Sequence, residues 1–399
     1  MPNKNVSQWE NLVSGRDMRP LPDLQQVDLA RLQKIIRERR FWKGSGSWVY
    51  RTEEAIEKYL DVKYALLVNS GTTALEIAIR SLGLAPGSEI IVPAYSFYST
   101  ASSVVSNHCV PVFVDIDPHT YCLDVRLLEK AVTRKTKAIV PVHMAGFPCD
   151  VLEINRIARK HRLFVIEDAA QAFGAIFDGR QRAGALGDVG CFSFQQFKNI
   201  SCGEGGLVVT NSAKIYRRLH ELADCGRRPG RPPHEHFVLG SNYRMTELQA
   251  SLLYGQILRC DRFIARKQRS ARYFWDLLSK IRNLGLLEPG WDGKVKSCYT
   301  YFVFKILHPQ IRSLRTKQKW IDELNRMGFP CYHYPLPLYR FAFFKKFTKW
   351  RKLDCPQTER ACYREAILVP HEVLWVSRSQ IRSWAKIIEK AVARLEAKV

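Results

Sequence analysis

Between residues 64 and 210 seven short apolar runs, rich in valine and isoleucine, alternate with stretches of helical periodicity. The runs cover 64–68, 89–93, 111–115, 138–142, 163–168, 189–194 and 206–210. Most lack a strict apolar–polar alternation, which is how strands covered on both faces of a parallel sheet read. Parallel neighbours need a long crossover, usually a helix, and helix starts stand between the runs. They are Thr72-Thr73 before 74–82, Asp124 before 127–132, Asp150 before 154–160 and Asn211 before 215–222. The pattern predicts an α/β domain with a mainly parallel sheet of about seven strands.

The flanks read differently. Residues 1–23, with Pro2, Pro20 and Pro22, predict an irregular N-terminal arm. From Leu24 an amphipathic helix is expected, with Leu24, Val27, Leu29, Leu32, Ile35 and Ile36 on one side, stopping before Gly44-Ser45-Gly46. Residues 225–241 carry six glycines and prolines, the composition of a long functional loop. A long helix from about 245 to 273 then leads into a mixed segment with a strand at 299–306, a helix at 318–327 and a closing helix at 380–395. The expected division is an arm (1–23), a large α/β domain (24–260) and a small C-terminal α+β domain (261–399).

The formal charge of +24 raises nucleic acid as a partner. The basic residues are scattered, with local concentrations at 31–43 and 345–352 and no RNA-binding or zinc-finger signature, so no specific nucleic-acid partner is expected. An anionic substrate or cofactor, or solubility, accounts for the charge. None of the 11 cysteines forms a Cys-x-x-Cys pair, so no metal site is expected, and they read as small core residues in a reducing compartment. The first ten residues are polar and no long apolar run follows, which predicts a cytoplasmic protein without a membrane partner.

Four pieces of chemistry fall at the carboxyl ends of predicted strands, where open α/β sheets bind ligands. Asn69-Ser70-Gly71-Thr72-Thr73 follows a strand and opens a helix, so its backbone N–H groups could hold a phosphate. Asp168 emerges from an apolar run, where a carboxylate needs a cation or a strong donor. Lys198 stands between a short aromatic strand and Gly203-Glu204-Gly205-Gly206, with Ser193 placed to aim at the same phosphate. The run 93–100 offers an aromatic side chain to lie on a heteroaromatic ring. Singly, these also fit a plain turn, a helix cap, a surface lysine and core packing. Their order, with the lysine thirty residues beyond the aspartate, is what pyridoxal 5′-phosphate requires: a phosphate cradle, a ring partner, a carboxylate for the pyridine nitrogen and an amine.

The motifs Asn69-Ser-Gly-Thr-Thr-Ala-Leu, Glu167-Asp-Ala-Ala-Gln-Ala-Phe-Gly, Phe192-Ser-Phe, Lys198-Asn, Gly203-Glu-Gly-Gly and Asn242-Tyr-Arg-Met-Thr-Glu-Leu-Gln-Ala resemble those of the DegT/StrS family of sugar and cyclitol aminotransferases. The resemblance implies the type I aminotransferase fold and a homodimer with shared active sites. It makes Lys198 the lysine that forms the imine and Asp168 the pyridinium partner. Gln171 would lie near the ring's phenolic oxygen, Ser70, Gly71, Thr72 and Ser193 would hold the phosphate, and Phe97 would stack on the ring. Asn242 resembles the asparagine that reaches the neighbouring subunit's cofactor.

Many nucleotide-sugar members carry Tyr-Pro-x-Pro-Leu-His, whereas this chain reads Tyr334-Pro-Leu-Pro-Leu-Tyr339. That departure, with Gln195-Gln196 and the run 370–374, resembles the branch of scyllo-inosose aminotransferases and 3-amino-5-hydroxybenzoate synthases. The resemblance implies amino transfer from glutamine or glutamate to a ring ketone, a keto-cyclitol or keto-sugar, in aminocyclitol, amino-sugar or antibiotic biosynthesis. Tyr243, Arg244, His333, Tyr334 and Tyr339 are the substrate candidates, Arg244 for the donor's carboxylate. A nucleotide-linked ketosugar, a dehydratase and a regulatory or nucleic-acid-binding protein on the same fold are the alternatives; the dehydratases have histidine where Lys198 stands.

Overall fold

The computed structural model describes residues 24–291, 294–334, 336–346 and 350–397; the expected arm, 1–23, lies outside them. The seven apolar runs form seven strands: β1 (Tyr64–Val68), β2 (Glu89–Pro93), β3 (Val110–Val114), β4 (Thr136–Ile139), β5 (Phe164–Asp168), β6 (Val189–Ser193) and β7 (Gly206–Thr210). They lie in the order β1-β7-β6-β5-β4-β2-β3. Strands β6 to β3 run parallel, and β7 is antiparallel to both neighbours. An eighth strand, two residues long at Arg351–Lys352, extends the sheet beyond β3. Helices cover both faces, so β2 and β7 are buried along their whole length.

Asp124 and Asp150 cap their segments as expected, and the other two caps shift by a residue or two. Ser70, rather than Thr72-Thr73, caps the helix Gly71–Ser81, its hydroxyl accepting the Thr73 N–H at 3.1 Å. Ser212 likewise caps the helix Ala213–Ala223, because the Asn211 side chain is taken by the Lys63 N–H. The expected helix after Leu24 runs from Gln26 to Glu38 and buries only part of its expected apolar side: Ile35 is buried, Val27, Leu29 and Ile36 are exposed, and Asp28 is fully buried. That carboxylate accepts from Arg31 and Arg259, both at 2.6 Å, so an ion pair docks this helix.

Residues 225–241 contain neither helix nor strand. The long helix spans Glu247–Leu278 and runs unbroken through position 260. Its first half, from Ala250 to Ile264, packs against the large sheet. Ala271, Phe274 and Leu278 pack instead on a three-stranded antiparallel sheet of Leu284–Leu286, Tyr301–Ile306 and Ala366–Pro370, where the sequence reading has one strand. The C-terminal part is not self-contained. Leu338, Tyr339, Phe344 and Cys355 join the core of the large sheet, and Asp115, just past β3, accepts the Gln357 and Thr358 N–H groups at 2.8 Å. All cysteines are free thiols, and all except Cys225 are buried.

Candidate active site

The ends of β1, β5 and β6 converge on one cavity of about 460 Å³. Eight cofactor candidates line it: Ser70, Gly71, Thr72, Phe97, Asp168, Gln171, Ser193 and Lys198. Tyr334 lines it as well.

The cradle is set by close approach of backbone to backbone. A Cβ on Gly71 would lie 2.7 Å from the Ser193 Cβ, and one on Gly206 would lie 2.1 Å from the Ser70 carbonyl oxygen. Only glycine at both positions lets the start of the helix Gly71–Ser81 press against the ends of β6 and β7. That brings the free N–H groups of the helix start together with the hydroxyls of Thr72, Ser99 and Ser193, Thr72 Oγ1 lying 2.6 Å from Ser99 Oγ. Thr72 and Ser193 converge on this cradle, whereas the Ser70 hydroxyl is occupied with its cap.

Glu167 and Asp168, adjacent on β5, point to opposite sides as strand geometry requires. Glu167 is structural: it accepts the N–H groups of Gly184, Leu186 and Gly187 at 2.9, 2.6 and 2.6 Å. It also accepts from His143 Nε2 at 2.9 Å, while His143 Nδ1 accepts the Cys149 N–H. Asp168 faces the cavity, 4 % exposed. Its Oδ2 accepts from Thr100 Oγ1 at 2.7 Å and its Oδ1 from the Ala170 N–H at 3.2 Å. Burial pushes its carboxyl above the usual range, and the hydrogen bonds and the charge of Lys198 offset this only in part. A buried carboxylate short of a cation suits a protonated ring nitrogen.

Lys198 sits on the turn from β6 to β7, held by bonds from the Phe194 N–H to the Gly205 carbonyl at 2.9 Å and from the Gln196 N–H to the Gly203 carbonyl at 2.8 Å. Next to it, the Asn199 amide donates to the Cys298 carbonyl at 3.1 Å and its oxygen accepts from buried Lys267. Burial lowers the Lys267 ammonium to about 8. Gln171 is fixed from both ends: its oxygen accepts the Ala145 N–H at 2.9 Å and its amide donates to Tyr334 Oη at 3.2 Å. Phosphate donors, an aromatic face at Phe97, a buried carboxylate and a lysine thus share one cavity of suitable size, and they fit pyridoxal phosphate.

The substrate candidates divide. Tyr334 lines this cavity and an adjoining one of about 290 Å³, and His333 lines the adjoining one, with its ring nitrogens 2.7 Å from Gln318 Oε1 and from the Tyr334 carbonyl. Tyr339 lines neither: it is buried in the sheet core, stacked on Trp350, with its hydroxyl 2.6 Å from Glu359. Asn242, Tyr243 and Arg244 also lie outside the lining of both cavities. Their segment is strapped between the phosphate turn and the preceding helix, with Asn69 N–H donating to the Tyr243 carbonyl and Tyr243 N–H to the Ala223 carbonyl, each at 2.9 Å. The Arg244 guanidinium is committed to Asp224 at 2.5 Å. The sequence reading missed Ser99, Thr100, Glu204 and Tyr301 around the cavity. Ser99 and Thr100 stand two and three residues past Phe97, on the first turn of a helix, and that position was a signal for them.

The model of the DegT/DnrJ/EryC1/StrS aminotransferase family matches residues 22–380. The chain is 40% identical over 243 residues to GDP-perosamine synthase of Caulobacter vibrioides, covering 61% of this chain and 65% of that protein. It is 32% identical to a putative L-glutamine:3-amino-2,3-dideoxy-scyllo-inosose aminotransferase of Streptoalloteichus tenebrarius, covering 95% and 96%. The crystal structure of 3-amino-5-hydroxybenzoic acid synthase superposes with a TM-score of 0.87 at 30% identity, covering 95% of this chain and 99% of that one. The chain therefore has the fold of these enzymes, belongs to the DegT/DnrJ/EryC1/StrS family and is a pyridoxal-phosphate-dependent aminotransferase.

Proposed function

We propose that the protein transfers an amino group from glutamine or glutamate to a ring ketone, a keto-cyclitol or keto-sugar, in the biosynthesis of an aminocyclitol, amino sugar or related natural product. The observation that carries the reading is the meeting of Lys198, Asp168 and the Gly71–Ser193 cradle in one cavity. When bound, pyridoxal phosphate carries the amino group between donor and acceptor and takes up the electrons released at the carbon that loses its proton. The Lys198 amine would move that proton as general base and general acid. Asp168 would hold the proton on the ring nitrogen, Phe97 would cover one ring face, and Thr72 and Ser193 would grip the phosphate. The test is a half-reaction: the amino-loaded enzyme is mixed with free ring ketones and with nucleotide-linked ketosugars, and the return of the unloaded cofactor's visible spectrum is followed. Free ring ketones are expected to react fastest. Reaction with the nucleotide-linked compounds alone would move the substrate to that class.

We also propose a homodimer whose sites are completed across the interface. Asn242 is exposed and outside its own chain's cavity, on a segment bonded to the phosphate turn. The apolar side chains Val27, Leu29, Ile36, Trp42 and Leu258 are exposed as well, as expected of a surface that a second subunit covers. Lys198→Ala and Asn242→Ala subunits, each inactive alone, should regain activity on mixing and subunit exchange. The mixed dimer keeps one site with both native residues. Absence of any recovery, with mixed dimers verified by mass, would place Asn242 outside the partner's site.

A further inference from the structure

A second chamber of about 290 Å³ opens from the cofactor cavity, sharing Phe97, Phe197, Tyr301 and Tyr334 with it. Most of its lining is aromatic, and no arginine or lysine is among the described residues that form it. Two ionisable residues, His371 and Glu372, follow directly on the strand Ala366–Pro370 and line the chamber.

His371 is 2 % exposed, and neither ring nitrogen has a hydrogen-bond partner among the described residues. Its Nε2 lies 3.5 Å from Glu372 Oε1, and Glu372 Oε2 is also unpartnered and buried. Buried polar atoms are almost always paired, because an unpaired one forfeits its hydration without return. The other histidines near the site obey this: both ring nitrogens of His143 and of His333 are engaged. Burial first, and then the positive charges of Lys267 and Lys198, hold His371 well below the ordinary histidine range. Its ring is therefore neutral, offering one donor and one acceptor. Burial pushes the Glu372 carboxyl up.

We propose that His371 and Glu372 hydrogen-bond the hydroxyls of the acceptor ring, and that this chamber takes an uncharged polyhydroxylated six-membered ring ketone, with any phosphate left outside. The proposal rests on the amino-transfer reading and names its acceptor class. Apolar ring faces would lie on the aromatic walls while hydroxyl edges satisfy the imidazole and the carboxylate. A phosphate inside would lose its hydration beside the Glu372 carboxyl with no cation among the described lining residues to replace it. The volume, at the low end of ligand sites, suits one ring rather than a nucleotide-linked pair.

The test uses the cofactor-loaded enzyme and two probes: myo-inositol, which has the hydroxyls but no ketone, and a pentahydroxycyclohexanone. His371→Gln is expected to weaken calorimetric binding of inositol, and to raise the half-saturation for the ketone, by about 10–100-fold. The donor half-reaction should stay within about threefold of wild type, a split that general loss of structure would not give. Deoxy-inositols supply a check on unmutated protein: loss of the contacted hydroxyl should weaken binding to wild type and not to His371→Gln. No inositol binding by wild type, or equal losses in both half-reactions, overturns the proposal. If inositol binds through His371 but no ring ketone is aminated, the ring-ketone acceptor reading falls and only the hydroxyl-binding role of His371 stands. Amination of ring ketones with equal efficiency by wild type and variant does the reverse.

Discussion

Replacing Lys198 with alanine is expected to lower turnover by at least about 10³-fold, the combined loss of a covalent anchor and a general acid/base. The fold should survive, because the turn is held by backbone bonds at Phe194, Gln196, Gly203 and Gly205 rather than by the lysine side chain. Three measurements separate the roles. Borohydride should no longer fix the cofactor to the chain, cofactor affinity should fall less than turnover, and an added small primary amine should restore part of the rate. A variant that still turns over within tenfold of wild type would remove Lys198 from the chemistry altogether.

Asp168→Asn is expected to have effects of opposite sign on activity and on the stability of the cofactor-free protein. Turnover should fall by about 10²–10⁴-fold, because a neutral amide no longer holds the ring nitrogen's proton. In the cofactor-free protein the folded-state pKa of Asp168 is raised by burial, so its linkage term favours folding only at low pH and is lost as pH rises through that pKa. At neutral pH the buried charge is a cost that asparagine relieves, its carbonyl oxygen accepting the Ala170 N–H while its amide donates to Thr100 Oγ1, whose hydroxyl turns to accept. The variant's melting temperature without cofactor should therefore equal or exceed that of wild type at pH 7, and the advantage should shrink toward pH 4. A variant less stable than wild type at pH 7 and equally active would reverse the assignment. Strain held at a site until its ligand arrives is a common trade of stability for activity.

The parts of the fold legible in the sequence are those where burial is two-sided. Strands such as Glu89–Pro93 and Gly206–Thr210 are apolar throughout because both faces are covered, and the glycines and carboxylate at strand ends stand out against them. Local signals failed where a distant partner decides. Arg351–Lys352 pairs with β3 although it is charged, and a two-residue strand leaves no period to read. Tyr339 sits in a motif-like segment, yet its hydroxyl belongs to Glu359 and its ring to Trp350. Asp28, on the helix Gln26–Glu38, is buried by Arg259, more than two hundred residues away. His371 was read as part of a branch-like run, because nothing local shows that its nitrogens stay unpaired or that they border a cavity.

The return of the C-terminal chain to the large sheet has a bearing on recombination between relatives. The segment that supplies Tyr332, His333 and Tyr334 to the acceptor chamber continues into Leu338, whose N–H bonds the Ala94 carbonyl at 2.9 Å. It then lays Arg351–Lys352 beside β3 and anchors Gln357 and Thr358 on Asp115 before reaching His371 and Glu372. The proposed acceptor chamber and the edge of the cofactor-binding sheet thus draw on one continuous stretch of chain. A crossover at residue 260 would cut the long helix and separate that stretch from its sheet partners. The natural unit of exchange runs from about Tyr332 to Glu372 and has to travel together with the β3 surface it covers.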